Sequence, residues 1–172
     1  MNSLPAERVD MSSFWRGRRG FTTVEVIAVL VIIGVLTAMI AARYWGPSIY
    51  STQSVAEELK NHLRFAQTRA MNSNVIWGVN FVDSTHYTIF KDGDTTHTVT
   101  PPGVSSNTVD ISNQGVSLGG IAAGDVVSFD DWGIPYTNAA GTTPQSGTRS
   151  ITVSGGGQTA TIQIIQNTGY IP

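Results

Sequence analysis

The hydrophobic pattern divides the chain into three zones. From Val26 to Ala42 there are 17 residues without a charge, and from Phe21 to Ala42 only Glu25 interrupts the apolar run. A helix of about 20 such residues spans the hydrocarbon core of a bilayer. Beyond Pro47 the pattern turns amphipathic. Val55, Leu59, Leu63, Ala66 and Ala70 recur at steps of four, four, three and four, which marks one helical face. Glu57, Lys60, Asn61, Arg64 and Thr68 take the other side, and Asn72-Ser73-Asn74 supplies a stop. Together these zones predict one helix from about Thr23 to Met71, on the order of 70 Å long at 1.5 Å per residue.

The third zone alternates β-branched and aromatic residues with Gly, Asn, Asp, Ser and Pro, the signature of short antiparallel strands. The expected strands are Val75 to Phe81, His86 to Lys91, Thr95 to Val99, Gly115 to Leu118, Val126 to Phe129, Ser150 to Val153 and Thr159 to Ile165. Asp92-Gly93 and Gly155-Gly156-Gly157 fit hairpin turns. Pro101 to Asn113 and Thr137 to Thr148 read as loops, the second too polar to add much core. No internal repeat appears. The fold class expected is α+β, a long N-terminal helix whose second half packs on an antiparallel sheet.

Charge sharpens the picture at the N-terminus. Arg8, Arg16, Arg18 and Arg19 precede the apolar run, opposed only by Glu7 and Asp10. Such a basic flank stays on the cytoplasmic side, while Arg43, Tyr44 and Trp45 mark the far interface. A secretory signal peptide cut near Ala38 to Ala42 is the alternative, but its apolar core is usually about 7 to 15 residues, shorter than this run. Residues 21–172 hold six basic against ten acidic side chains, 6 − 10 = −4, which argues against a nucleic-acid surface. With no cysteine, packing and backbone pairing must hold the domain without disulfides.

Glu25 is the anomaly, because a carboxylate inside a lipid-facing helix costs about 2.5–3.5 kcal/mol even on lenient scales. Taken alone it reads as a carboxylate near the headgroups, favoured by the helix dipole. The string Arg18-Arg19-Gly20-Phe21-Thr22-Thr23-Val24-Glu25, followed at once by the apolar run, resembles the signal of type IV prepilins. That resemblance implies cleavage after Gly20 by a prepilin peptidase, methylation of the new N-terminal Phe21, and pairing of Glu25 with a neighbouring subunit's N-terminal amine in the filament. Its domains would be a leader over 1–20, a transmembrane and filament-core helix over 21–45, an amphipathic continuation over 46–73 and a β-rich domain over 74–172. Many family members carry a proline at the site of Ala42. Here it is delayed to Pro47, so a kink should move with it.

The segment Val55 to Ala70 is similar to the helix of GspH/FimT-type pseudopilins, ending in their Arg-x-Ala-x-x-x-Ala pattern as Arg64, Ala66 and Ala70. Phe129-Asp130-Asp131-Trp132-Gly133-Ile134-Pro135 resembles their Phe-x-x-x-Gly-x-Pro stretch, and Thr168-Gly169-Tyr170-Ile171 their terminal strand and ending. The function implied is a minor pilin or pseudopilin of a type II secretion pseudopilus or type IV pilus-like filament. Its partners would be the prepilin peptidase, other pilins, an inner-membrane assembly platform and, before assembly, membrane lipid. The protein would sit in the bacterial inner membrane with its N-terminus cytoplasmic and its C-terminal domain periplasmic, then in the filament. A major pilin is the alternative within the class. A DNA-uptake pilin of FimT type is another, weakened because Tyr170 stands where an arginine would serve and Arg149 is the only basic residue after Lys91. Outside the class stands a single-pass membrane protein with a ligand-binding β domain.

Other chemistry is thinly signalled, and neither enzyme activity nor a cofactor is expected. Gly115-Val116-Ser117-Leu118-Gly119 matches a nucleophile elbow, but no histidine follows His97 and no helical pattern follows Ser117. His62, His86 and His97 lack metal-ligand spacing. Asp92-Gly93-Asp94 and Asp130-Asp131 could supply oxygens to calcium, but Asp-Gly is first a turn former. Trp77, Phe90 and Trp132 read as core aromatics rather than base-stacking platforms.

Overall fold

The computed structural model describes residues 21–44 and 49–172, with side-chain surroundings for 21–39 and from 51 onward. Helix α1 runs Thr23–Tyr44 and helix α2 runs Ile49–Ser73. The outer ends agree with the single helix expected from Thr23 to Met71, but residues 45–48 lie outside the description. The continuity expected across that interval, and the kink expected at Pro47, therefore fall outside the described residues. Contacts divide the chain into a unit through Arg43 and a unit from Tyr44 onward. The second unit carries the packed core.

Every residue of the expected stripe, Val55, Leu59, Leu63, Ala66 and Ala70, is buried, and Ala56 joins them. Helix α2 ends where side chains replace missing backbone partners. Asn72 Nδ2 donates to Thr68 O at 2.7 Å, Ser73 Oγ donates to Arg69 O at 2.6 Å, and Asn74 turns left-handed at φ 55°.

Nine strands follow: β1 Trp77–Phe81, β2 His86–Lys91, β3 Asp94–Val99, β4 Thr108–Asp110, β5 Ser117–Gly119, β6 Val126–Phe129, β7 Pro135–Tyr136, β8 Arg149–Gly155 and β9 Gln158–Ile164. One antiparallel sheet orders β3-β2-β1-β6-β7 with β4 also on β2, and a second orders β5-β8-β9. Helix α2 packs on β1 and β6 of the first and on β8 and β9 of the second, so one apolar stripe seals both. Tyr87, Phe81, Phe129, Ile151, Ile162 and Ile164 fill the interior with it.

Both expected hairpin turns form. Asp92 and Gly93, at φ 60° and 68°, link Lys91 to Asp94, and Gly156 and Gly157, at φ 57° and 75°, link the paired Gly155 and Gln158. Two central residues with positive φ suit the right-handed twist of the flanking strands. The stretch Pro101 to Asn113, expected as loop, contains β4, because the outer edge of β2 is shared. Residues Ile89 to Lys91 pair with β3, and His86 to Thr88 pair with β4.

At that corner His86 is held between two carboxylates. Its Nδ1 lies 2.9 Å from Asp83 Oδ2 and its Nε2 lies 3.4 Å from Asp110 Oδ1, across the β2–β4 pair. The Thr85 backbone N–H, then the His86 ring and the Thr85 hydroxyl, pull Asp83 down to about 2. The Asp83 hydrogen bond raises His86. A depressed acid stabilises above its unfolded value and loses that contribution as pH falls toward about 2; a raised histidine stabilises below its unfolded value and loses it as pH rises through the folded one. The corner is therefore tightest when Asp83 is ionised and His86 protonated. Replacing Asp83 with Asn should lower the His86 midpoint in an NMR titration. An unchanged midpoint would show that the pair is not coupled.

Candidate functional site

The candidate site at the N-terminus begins with the start of α1. Thr22 Oγ1 accepts the Glu25 N–H at 3.2 Å, and Thr22 O accepts the Val26 N–H at 3.2 Å. Thr22 is thus the N-cap and Glu25 the third helical residue, the Thr-x-x-Glu spacing of a capping box. All four letters of this signal stand together in the sequence, at Thr22 to Glu25. The cap fixes where the helix starts and sets Glu25 in its first turn, where the helix dipole favours a carboxylate.

Phe21, Glu25 and Val29 then fall at steps of four on one face. With Val26 and Leu30 they line a shallow groove of about 250 Å³. Phe21 is 81% exposed, and the large apolar side chains from Val24 to Met39 are exposed as well. An apolar surface of this extent needs lipid or other helices to cover it. Among the described residues no helix is long and apolar enough to cross a membrane; the described side chains of α1 stop at Met39, with Ile40 to Ala42 beyond them. Gly20 lies outside the described residues.

In the β-rich unit the residues of the two family-like motifs converge on α2. Gln67 Nε2 donates to Gly133 O at 3.0 Å, Gly169 O at 3.1 Å and Thr168 O at 3.3 Å, while Arg64 Nη2 donates to Ile171 O at 2.8 Å. The chain end is not a strand as expected. It turns back through the Gly169 N–H to Ile165 O and the Ile165 N–H to Tyr170 O, both 2.9 Å, and buries Ile171. Gln67 was not singled out in the sequence, though a glutamine four residues after Leu63 lies at the edge of the buried stripe.

This latch presents Trp132, 77% exposed, and Tyr170, 63% exposed. Trp132 is therefore not the core residue expected. Asp130 ties its turn by accepting from the Trp132 and Ile134 backbone N–H groups at 3.0 and 2.8 Å, and the short loop points the indole away from the core. Phe90 is buried, and Trp77 is half-buried edge-on against Phe65.

The remaining candidates have structural placements. Ser117 lies on β5, paired with Ser154, and is followed by Gly119-Gly120 rather than by the helix a nucleophile elbow needs. His62 is buried. Pro102 O accepts from Nε2 at 3.0 Å, leaving Nδ1 to accept from the Tyr87 hydroxyl at 2.8 Å in the neutral ring. Burial pushes that hydroxyl's pKa up. Asp94 Oδ1 is taken by the Thr96 N–H and hydroxyl, and His97 lies 3.5 Å from Asp92 Oδ2. Among the described residues no three potential ligands form a metal-binding group.

A capped apolar helix followed by an amphipathic helix that seals two antiparallel sheets defines a type IV pilin-like subunit. A family model described as Type II transport protein GspH matches residues 55–169, and one described as Prokaryotic N-terminal methylation motif matches residues 15–41. The chain belongs to the GspH family, a structural pilin type. Two crystal structures of the type IV minor pilin FimU of Pseudomonas aeruginosa are similar to it at 16% identity, with TM-scores of 0.48 and 0.44, covering 70% of this chain and 86% and 90% of theirs. No curated relative matches the chain.

Proposed function

We propose that the chain is a prepilin cut after Gly20 and incorporated as a minor subunit into a type II secretion pseudopilus, or into a type IV pilus-like filament. The description of the matching family as type II transport supports the secretion system first. The observation that carries the reading is the capped helix start: Phe21 and Glu25 share one face at the head of an exposed apolar helix, within the matched methylation motif. Before assembly, lipid covers α1; the leader side is cytoplasmic and the β-rich domain periplasmic. During assembly, an inner-membrane platform and other pilins replace lipid with helix surface.

Glu25 acts in that exchange by meeting the N-terminal amine of a neighbouring subunit. Phe21 supplies the equivalent amine once the peptidase has acted. Breaking one side of a buried ion pair costs about 3–5 kcal/mol, so a Glu25→Ala chain should be processed and inserted normally yet be depleted at least about 100-fold from sheared filaments. Quantitative immunoblotting of membrane and filament fractions from the native host reads this directly. Equal incorporation of the variant and the natural chain would overturn the role of Glu25.

A further inference from the structure

We infer that the outer edge of β9 is a docking site for a second copy of the chain, with β9 pairing antiparallel to β9 of that copy about a two-fold axis at Thr161. The inference rests on the β-rich unit alone and stands apart from the filament reading.

Register fixes which backbone groups are available. Gly155 and Gln158 close a two-residue turn as a hydrogen-bonded pair, so Ala160, Ile162 and Ile164, opposite Val153, Ile151 and Arg149, also turn their N–H and C=O groups toward β8. Thr159, Thr161 and Gln163 turn theirs to the other side. Ile165 is next in that outward series, and there the chain supplies its own partners: Tyr170 O accepts the Ile165 N–H, and Ile165 O accepts the Gly169 N–H. Upstream, no hydrogen bond among the described residues reaches the outward groups of Thr159, Thr161 and Gln163, and all three residues are exposed. Their three N–H and three C=O groups form a row that an extended backbone matches.

The other edges are blunted and this one is not. β3 carries Asp94 and His97 and meets β2 with a register shift at Phe90/Lys91. β4 and β5 have three residues each, while β7 has two, begins with Pro135 and is bridged by Pro144. Short strands, charges, prolines and bulges are the devices that keep sheet edges from pairing. β9 has seven residues, QTATIQI, with no charge, no proline and an unbroken register.

Charge and symmetry choose the occupant. No charged side chain stands between Ser150 and Pro172, so a second copy is met without repulsion, whereas a charged segment would find no counter-charge. Set antiparallel about Thr161, the two strands place Thr161 opposite Thr161 and Thr159 opposite Gln163, and every outward group of both enters one of six N–H···O=C bonds. On the exposed face hydroxyl meets hydroxyl and hydroxyl meets amide. The β5-β8-β9 sheet then continues across the axis into its copy.

The test uses the full chain in detergent micelles and exploits its lack of cysteine. In the two-fold register the two Thr161 Cα atoms lie about 5.5 Å apart, inside the roughly 4.4–6.8 Å that a disulfide spans. Under mild oxidation a T161C chain should therefore form a covalent dimer at least about tenfold faster than a T96C chain, altered at an exposed position on β3. In sedimentation, T161K alone and T161E alone should each dimerise at least about tenfold more weakly than the natural chain, and their equimolar mixture should recover the dimer, because directly opposed like charges repel and unlike charges attract. Both variants change an exposed side chain whose N–H lies outside the β8 ladder, so their thermal unfolding should match that of the natural chain. Equal oxidation rates at the two positions, or equal dimerisation by T161K, T161E and the natural chain, would overturn the inference, any dimer common to all three being association through α1. Loss in both variants without recovery in the mixture would overturn it too, leaving the edge to a different chain.

Discussion

Replacing Gly169 with alanine is expected to destabilise the β-rich domain by about 2–5 kcal/mol, the sum of a left-handed backbone penalty and of overpacking. Gly169 has φ +61°, and an added Cβ would fall well inside contact distance of the Gly133 carbonyl and 2.5 Å from Gln67 Nε2. The methyl group would therefore push apart the three carbonyls that Gln67 gathers and release the tail that buries Ile171. Gly157→Ala is the comparison. That residue also has positive φ, at +75°, but its Cβ would meet nothing within 4 Å, so only the backbone penalty of about 1–2 kcal/mol applies. Chemical denaturation of both variants should show the larger loss at Gly169. Equal losses would mean that the Gln67 latch contributes nothing.

The second large effect is expected at Gly20. On the proposed reading, a Gly20→Val chain keeps its leader, because a β-branched side chain at the cut site obstructs the peptidase where a glycine does not. The uncut chain retains Arg8, Arg16, Arg18 and Arg19 ahead of the apolar run and has no free amine on Phe21. Packing those charges into a helical core would leave them unpaired, so the variant should accumulate in the membrane and be absent from filaments. Normal filament incorporation of the uncut chain would contradict this.

Much of the fold was legible because a few periodic signals are strong. The stripe Val55, Leu59, Leu63, Ala66 and Ala70 is buried as its spacing implies, and β2 and β6 have the expected ends. The strand β4 was hidden because Thr108-Val109-Asp110 has one apolar residue and no readable period; only pairing with β2 makes it a strand. Likewise β7 is two residues long and owes its existence to β6. Trp132 misled because composition says that a tryptophan carries much burial area, while the turn around Asp130 decides where it points. At the candidate site, Gly20, Phe21 and Glu25 are proposed from one contiguous string of the sequence. The cap by Thr22 is equally local, carried by the Thr22-to-Glu25 spacing. The Gln67 latch joins residues far apart in the chain, and no local pattern announces it.

The most direct test of the filament-subunit account is the intact mass and N-terminal sequence of the natural chain isolated from its own host. The account predicts a chain that begins at Phe21 and carries one methyl group on its amine. A chain beginning at Met1, or one cut near Arg43, would contradict it.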